Sequence, residues 1–258
     1  MEINFNNVCY KNKLTNVNLK MSSDKINGIY NYNTFLKLIT NPRLINEGSI
    51  YIDDKQYKNF DYINIVIIDK EKEFYTSKVI DEILFSAKLR NYKSKNIKKE
   101  ILEWLKEFNL DENILKRIGH SLSETEKYFI KIIANLITKP QIVIFKDIMN
   151  GIDYNNKKII KKIINNLKEK GTLVILTSMN SNILYELTEE VFNFDKGKLL
   201  TSGLTNDIYT NVEILIENKI DVPYFSLLTY KANKDKNANL FYRKDVRDVI
   251  KDVYKSVS

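Results

Sequence analysis

The sequence predicts an α/β fold: a mixed sheet with an antiparallel N-terminal part, an inserted helical subdomain and a small helical C-terminal appendage. Three observations predict it. The N-terminal stretch "EINFNNVCY" alternates apolar and polar residues, as half-buried strands do. Further on, short apolar runs such as "QIVIF" and "GTLVILTS" are separated by helix-period segments, the order that builds a parallel sheet. Between these two patterns lies a helix-rich stretch, from about Thr76 to Arg117, that interrupts the alternation.

The elements follow in order. "EINFNNVCY" and "LTNVNLKM" read as a hairpin, "KINGIY" as a short strand, "TFLKLIT" as a helix and "GSIYIDD" as another strand. "INIVIID" is an apolar run of the buried-strand type. "VIDEILFSAKL" and "NIKKEILEWLKEFNL" have helical spacing. "SETEKYFIKIIANLI" opens with Ser and has Glu three places on, a capping box at the start of a helix. After "QIVIF", the segment "NKKIIKKIINNLKEK" places Ile159, Ile160, Ile163, Ile164 and Leu167 on one face and lysines on the other. "GTLVILTS" is a strand, "NILYELTEE" a helix and "EVFNFDKGKLLTSG" a hairpin whose turn offers Gly197 where a positive φ is wanted. From Asn206 on, the chain is helical and polar, with one break at "DVPY". The expected division is 1–205 for the main domain, with a helical subdomain at about 76–117, and 206–258 for the appendage.

Composition narrows the function. Of 258 residues 43% are hydrophobic, enough for one large core, and with only 7 Gly and 3 Pro no linker tract stands out. No apolar run approaches the ~20 residues of a membrane span. The start "MEINFNNVCYKNK" lacks the pattern of a signal peptide. One cysteine, Cys9, excludes an internal disulfide and a cysteine-based metal cluster. The expectation is a cytoplasmic protein. The net charge of +8 comes from lysines scattered over helix faces and not focused on one motif, so nucleic acid is not the expected partner.

The stretch "QIVIFKDIMNGID" carries the functional question. Four apolar residues, Ile142 to Phe145, run into Lys146 and Asp147. A buried strand that ends in an acidic pair is a way to hold magnesium and water beside a nucleotide; here the first of the two is a lysine. Ligands in parallel α/β sheets bind at the C-terminal ends of strands, and those ends read "GIYN", "VIID", "VIFKD" and "VILTS". Their order, with "HSLSETEKYFIKIIANLITKP" just before the third, resembles the ATP-binding subunit of an ABC transporter. The resemblance runs almost end to end. It implies an ABC-type, P-loop NTPase-like fold. The tail "NVEILIENKIDVPYFSLLTYK" is similar to the C-terminal region of ATPases in energy-coupling-factor (ECF) transporters.

The resemblance assigns family positions to residues that depart from the family pattern. The phosphate loop G-x-x-x-x-G-K-[ST] wraps phosphates with backbone N–H groups and a lysine. The matching segment, "INGIYNYNTFLKLIT", offers Gly28 before a loop of Asn31, Tyr32, Asn33 and Thr34, about five residues short. Lys25 precedes the strand and Lys37 lies on the following helix, so neither replaces the lysine. In the Walker B strand Lys146 takes the magnesium position and Asp147 that of the water-positioning Glu; an ammonium repels the metal. Asp69 stands at the Q-loop glutamine and Ser178 at the switch histidine. The only histidine, His120, lies ahead of the signature helix and reads as a surface or interdomain residue. The signature loop reads Leu122, Ser123, Glu124, Thr125, Glu126. Ser123 is either a donor to a partner's γ-phosphate or simply the N-cap of the next helix. The D-loop keeps Gly151 and Asp153, which in the family face the opposite subunit. Tyr10 is taken as a strand residue and not as a stacking ring for adenine.

The expected function is that of a degenerate, non-catalytic subunit, a pseudo-ATPase. Its expected partners are an active ABC ATPase subunit and a membrane T-component or permease, on the cytoplasmic face of the membrane; a homodimer is the other arrangement. No metal and no cofactor is expected, and ATP with magnesium would be the cofactors of a working site. Two alternatives stand beside it: an active ATPase with atypical motifs, and a scaffold or basic nucleic-acid-binding protein on the same fold.

Overall fold

The computed structural model describes residues 1–31, 33–59, 63–149, 151–236 and 238–257. The chain opens with a hairpin, β1 (Glu2–Tyr10) and β2 (Leu14–Ser22), which buries Ile3, Phe5, Val8 and Tyr10 opposite Val17, Leu19 and Met21. β3 (Ile26–Tyr30) leads into α1 (Asn33–Thr40), whose buried face is Phe35, Leu36, Leu38 and Ile39. β4 (Glu47–Ile52) and β5 (Lys55–Gln56) follow; Asp53 and Asp54 between them both take positive φ, the two-residue turn that suits strand twist. β6 (Ile65–Asp69) precedes α2 (Val79–Leu89) and α3 (Ile97–Glu107), which form the helix-rich segment the spacing predicts. Then come α4 (Glu124–Leu136), β7 (Ile142–Lys146), α5 (Tyr154–Glu169), β8 (Leu173–Ser178) and α6 (Ser181–Leu187). β9 (Glu190–Asp195) and β10 (Lys198–Leu204) form the expected hairpin, with Lys196 and Gly197 at positive φ. A Cβ on Gly197 would come within 2.1 Å of the Lys13 carbonyl oxygen, so the turn requires glycine. Four helices close the chain: α7 (Thr205–Thr210), α8 (Val212–Glu217), α9 (Tyr224–Lys236) and α10 (Val246–Val257).

The chain divides into two compact units, Asn59–Ile175 with Met1, and Glu2–Lys58 with Leu176–Ser258. In this division the C-terminal helices belong to one unit with the N-terminal strands. In the first unit β6 and β7 pair in parallel, from Ile65 opposite Ile142 to Asp69 opposite Lys146. Ile142 to Phe145 are fully buried, as expected of a strand covered on both faces. The helices around this pair share an aromatic cluster, with the Phe108 and Phe129 rings 4.8 Å apart. Arg90, at the end of α2, donates to the Ile65 carbonyl at 2.9 Å and so ties the helical segment to the strand.

In the second unit an antiparallel sheet has the order β2-β1-β4-β5. Beside it β3 and β9 pair in parallel, from Asn27 opposite Glu190 to Tyr30 opposite Asn193, and β10 lies on the outer side of β9. Phe5 of β1 stacks on Phe35 of α1 at 5.2 Å. Tyr209 of α7 is fully buried and its hydroxyl donates to Asn193 Oδ1 at 3.2 Å. Among the described residues no helix is long and apolar enough to cross a membrane.

Candidate functional site

The first unit brings together the residues at the ends of β6 and β7. Asp69 and Lys146 are the last residues of two paired parallel strands, so their side chains leave the sheet on the same side. Lys146 Nζ lies 3.0 Å from Asp69 Oδ2 and 3.8 Å from Glu71 Oε2. The hydrogen bond to Asp69 raises the Lys146 pKa against the opposing pull of burial. With Asp69 side-chain exposure at 13% and Lys146 at 25%, the pair is sheltered enough to count as a fixed element. The ammonium thus stands on the carboxylate that a divalent cation would need. A magnesium ion next to it would meet a positive charge and would lose Asp69 as a ligand, so this donor set does not suit the metal. Among the described residues no group of three or more His, Cys, Asp or Glu side chains is arranged to hold a metal.

Asp147 is half-buried with φ of 50°, a left-handed conformation that Asp adopts more readily than most residues. Tyr128 of α4 is fully buried, and among the described residues its hydroxyl has no hydrogen-bond partner. Burial drives its pKa far up, and the carboxylates of Asp69 and Asp147 add to the effect.

The signature residues are organised as a helix start. Ser123 is the N-cap of α4: its Oγ accepts from the Glu126 N–H at 3.2 Å, and Glu126 Oε2 accepts from the Ser123 N–H at 2.7 Å. Arg117 donates to Glu126 Oε1 at 2.9 Å and also to the Ser121 carbonyl. Burial works to raise the Glu126 pKa, but the Ser123 hydrogen bonds and Arg117 carry it below its ordinary value. Leu122 is buried, Thr125 half-buried, and Glu124 points outward to Lys127 at 2.8 Å. His120 is exposed in a short 3-10 turn, a surface position. At the D-loop, Gly151 has φ of 66°, and Asp153 caps α5, accepting from the N–H groups of Asn155 at 3.0 Å and Asn156 at 3.1 Å. Lys131 of α4 donates to the Lys70 carbonyl at 2.6 Å, fixing the segment after β6.

The second unit holds the remaining candidates. Gly28 sits in the middle of β3, and a Cβ there would lie 2.7 Å from Thr188 Cγ2. Its glycine serves close packing against the end of α6 and not a phosphate-wrapping turn. Asn31 has φ of 58°, and α1 begins at Asn33. Tyr32 lies outside the described residues. Asn31, Asn33 and Thr34 line a cleft of about 420 Å³ with Lys13, Asp195 and Lys196. Lys25 is engaged with Glu190 at 3.0 Å. Tyr10 is a buried strand residue opposite Leu14. Ser178 is buried at the end of β8, and its Oγ accepts from the Asn180 N–H at 3.0 Å, inside the turn that starts α6. A role for Asp221, which accepts from the Ser181 hydroxyl at 2.7 Å, was not legible in the sequence.

This arrangement can be set against known proteins. No protein-family model matches the chain. An energy-coupling-factor transporter ATP-binding protein, EcfA1, of Mycoplasmopsis synoviae is 25% identical over 256 residues, covering 91% of this chain and 93% of its own. An ABC transporter ATP-binding protein of Caldanaerobacter subterraneus is 24% identical over 193 residues, 72% of this chain; the match spans only 34% of that relative's length. Among solved structures, CbiO1 from Clostridium perfringens, described as part of the ABC transporter complex CbiONQ, aligns with a TM-score of 0.69 at 19% identity over 88% of this chain and 98% of its own. The ATP-binding cassette MJ0796, solved as a dimer bound to ADP and Pi, aligns with a TM-score of 0.66 at 18% identity over 79% of this chain and 98% of its own. The chain has the fold of an ABC ATP-binding cassette. Its relatives in sequence are ABC transporter ATP-binding proteins, those of energy-coupling-factor transporters among them.

Proposed function

We propose that this chain is the non-catalytic cassette subunit of an ECF-type ABC transporter. The observation that carries the reading is the ion pair of Lys146 and Asp69 at the strand ends where the family places its magnesium carboxylate and Q-loop glutamine. A cation supplied by the chain itself leaves no metal to polarise a triphosphate. The contracted connection between β3 and α1 supports the same reading, because it lacks the glycines and lysine that hold the β- and γ-phosphates. Ser178 cannot take a proton from water as a histidine does.

The partners follow from the relatives. An ECF-type assignment calls for a second, active cassette subunit and a membrane component, and it places the chain on the cytoplasmic face of the membrane. The capped and ordered Ser123 and Asp153 are compatible with a kept pairing surface. Neither ATP nor magnesium is a cofactor of this chain in that reading.

The test is phosphate release by the purified chain with ATP and magnesium, with Asp147→Asn beside it. The expected result is no turnover above the protein-free blank in either protein. Phosphate release by the parent that Asp147→Asn abolishes would establish an active ATPase instead.

A further inference from the structure

Helix α6 starts just after Ser178 and is gripped at both ends by the C-terminal segment of its own unit. At its start, Asp221 Oδ2 accepts from the Ser181 hydroxyl at 2.7 Å and from the Ser181 N–H at 3.4 Å. The Tyr224 N–H donates to Asn182 Oδ1 at 2.7 Å. At its end, Lys244 Nζ donates to the Thr188 carbonyl at 3.2 Å and stands 5.2 Å from the centre of the Tyr185 ring. Ser181 and Thr188 are buried, Asp221 is exposed and Lys244 half-buried, so these contacts are sheltered on their α6 side. Thr188 also packs on Gly28 of β3 and shares a hydroxyl contact of 2.9 Å with Thr205. Tyr30, the last residue of β3, faces the same acid: its pKa is raised by burial first and then by the charge of Asp221.

We propose that Asp221, Tyr224 and Lys244 form a built-in clamp that holds α6, and with it the turn carrying Ser178, in a single position. This deepens the non-catalytic reading and rests on it only for what the clamp means: the switch-position segment is fixed by the chain itself and does not follow a ligand. The two grips act as a unit because α6 is only two turns long, so loosening one end frees the helix as a rigid piece.

Hydrogen exchange on the full chain tests it. In Asp221→Ala, the amide of Thr188 at the far end of α6 exchanges about tenfold faster than in the parent, and in Lys244→Met the amide of Leu184 does the same, while β7 keeps its protection in both. Ser181→Ala, which removes one hydroxyl and leaves Asp221 in place, gives the same pattern to a lesser degree and serves if Asp221→Ala does not fold. A rise confined to amides beside the altered contact, or no rise at all, would show ordinary local bonding and overturn the clamp. Phosphate release by the chain would sink the non-catalytic reading, and these exchange rates would still report on the clamp separately.

Discussion

Lys146 and Asp69 in the first unit, and Gly28 and Ser178 in the second, depart from one family pattern by different routes. In the first unit the backbone framework is complete: paired strands, a capped signature helix and a capped helix after the D-loop. What differs, in the proposed reading, is charge: Asp69 and Lys146 stand at the strand ends as an acid and a base, and the two form an ion pair. In the second unit the difference proposed is in the framework: β3 ends at Tyr30 and α1 begins at Asn33, Gly28 packs against Thr188, Ser178 accepts inside the turn before α6, and Asp221 accepts from Ser181 at the start of α6. In the proposed reading, a compensated pair of side chains stands in for a metal site in one unit, whereas in the other it is the backbone connection that no longer suits phosphate.

Breaking each unit at its characteristic point sharpens the contrast. The largest effect is expected in the second unit. Gly28→Ala pushes a methyl group to 2.7 Å from Thr188 Cγ2 and should cost about 1–3 kcal/mol, read as a lower urea midpoint. In the first unit, Lys146→Met leaves the sheltered Asp69 carboxylate without its ammonium and should cost about 1–2 kcal/mol. Adding Asp69→Asn to it should restore part of that loss, since the pair matters more than either member; equal and additive losses would remove the compensation argument. Ser123→Ala should cost about 1 kcal/mol through the lost N-cap, with the β6–β7 pair undisturbed.

The smallest effect is a pH dependence. Glu126 has a folded pKa below its ordinary 4.5, so its contribution is present above that value and disappears as pH falls through the folded value. The parent should therefore lose more stability than Ser123→Ala between about pH 5 and 3, measured by chemical denaturation. Lys146 has the opposite sign. Its raised pKa keeps the pair charged up to its ordinary 10.5, and stability is lost only above it, as pH passes the folded value. A loss near neutral pH would contradict the assigned partners.

Much of this was legible in the sequence, for reasons that differ by residue. The alternation in "EINFNNVCY", the capping box at Ser123 and the glycine turn at Gly197 are local signals, and each appears where its spacing places it. Asp69 and Lys146 as charged residues at strand ends were legible residue by residue. Their pairing was not, because it needs the register of two strands separated by the helical segment; two strand-terminal residues of opposite sign were the only hint. Asp221 and Lys244 left no local signal at all. Their meaning comes from contacts with α6, distant in the chain, and the division into compact units likewise depends on contacts that no local pattern marks. Tyr128 was not singled out, because nothing in a helix period marks a buried hydroxyl that feels the charge of Asp69 and Asp147.

The central claim is that this cassette does not hold a magnesium–nucleotide complex. The most direct measurement is a titration of the purified chain with labelled ATP and magnesium up to millimolar concentration. The account predicts no saturable binding, in the parent and in Lys146→Met alike. Saturable micromolar binding that requires magnesium would contradict it.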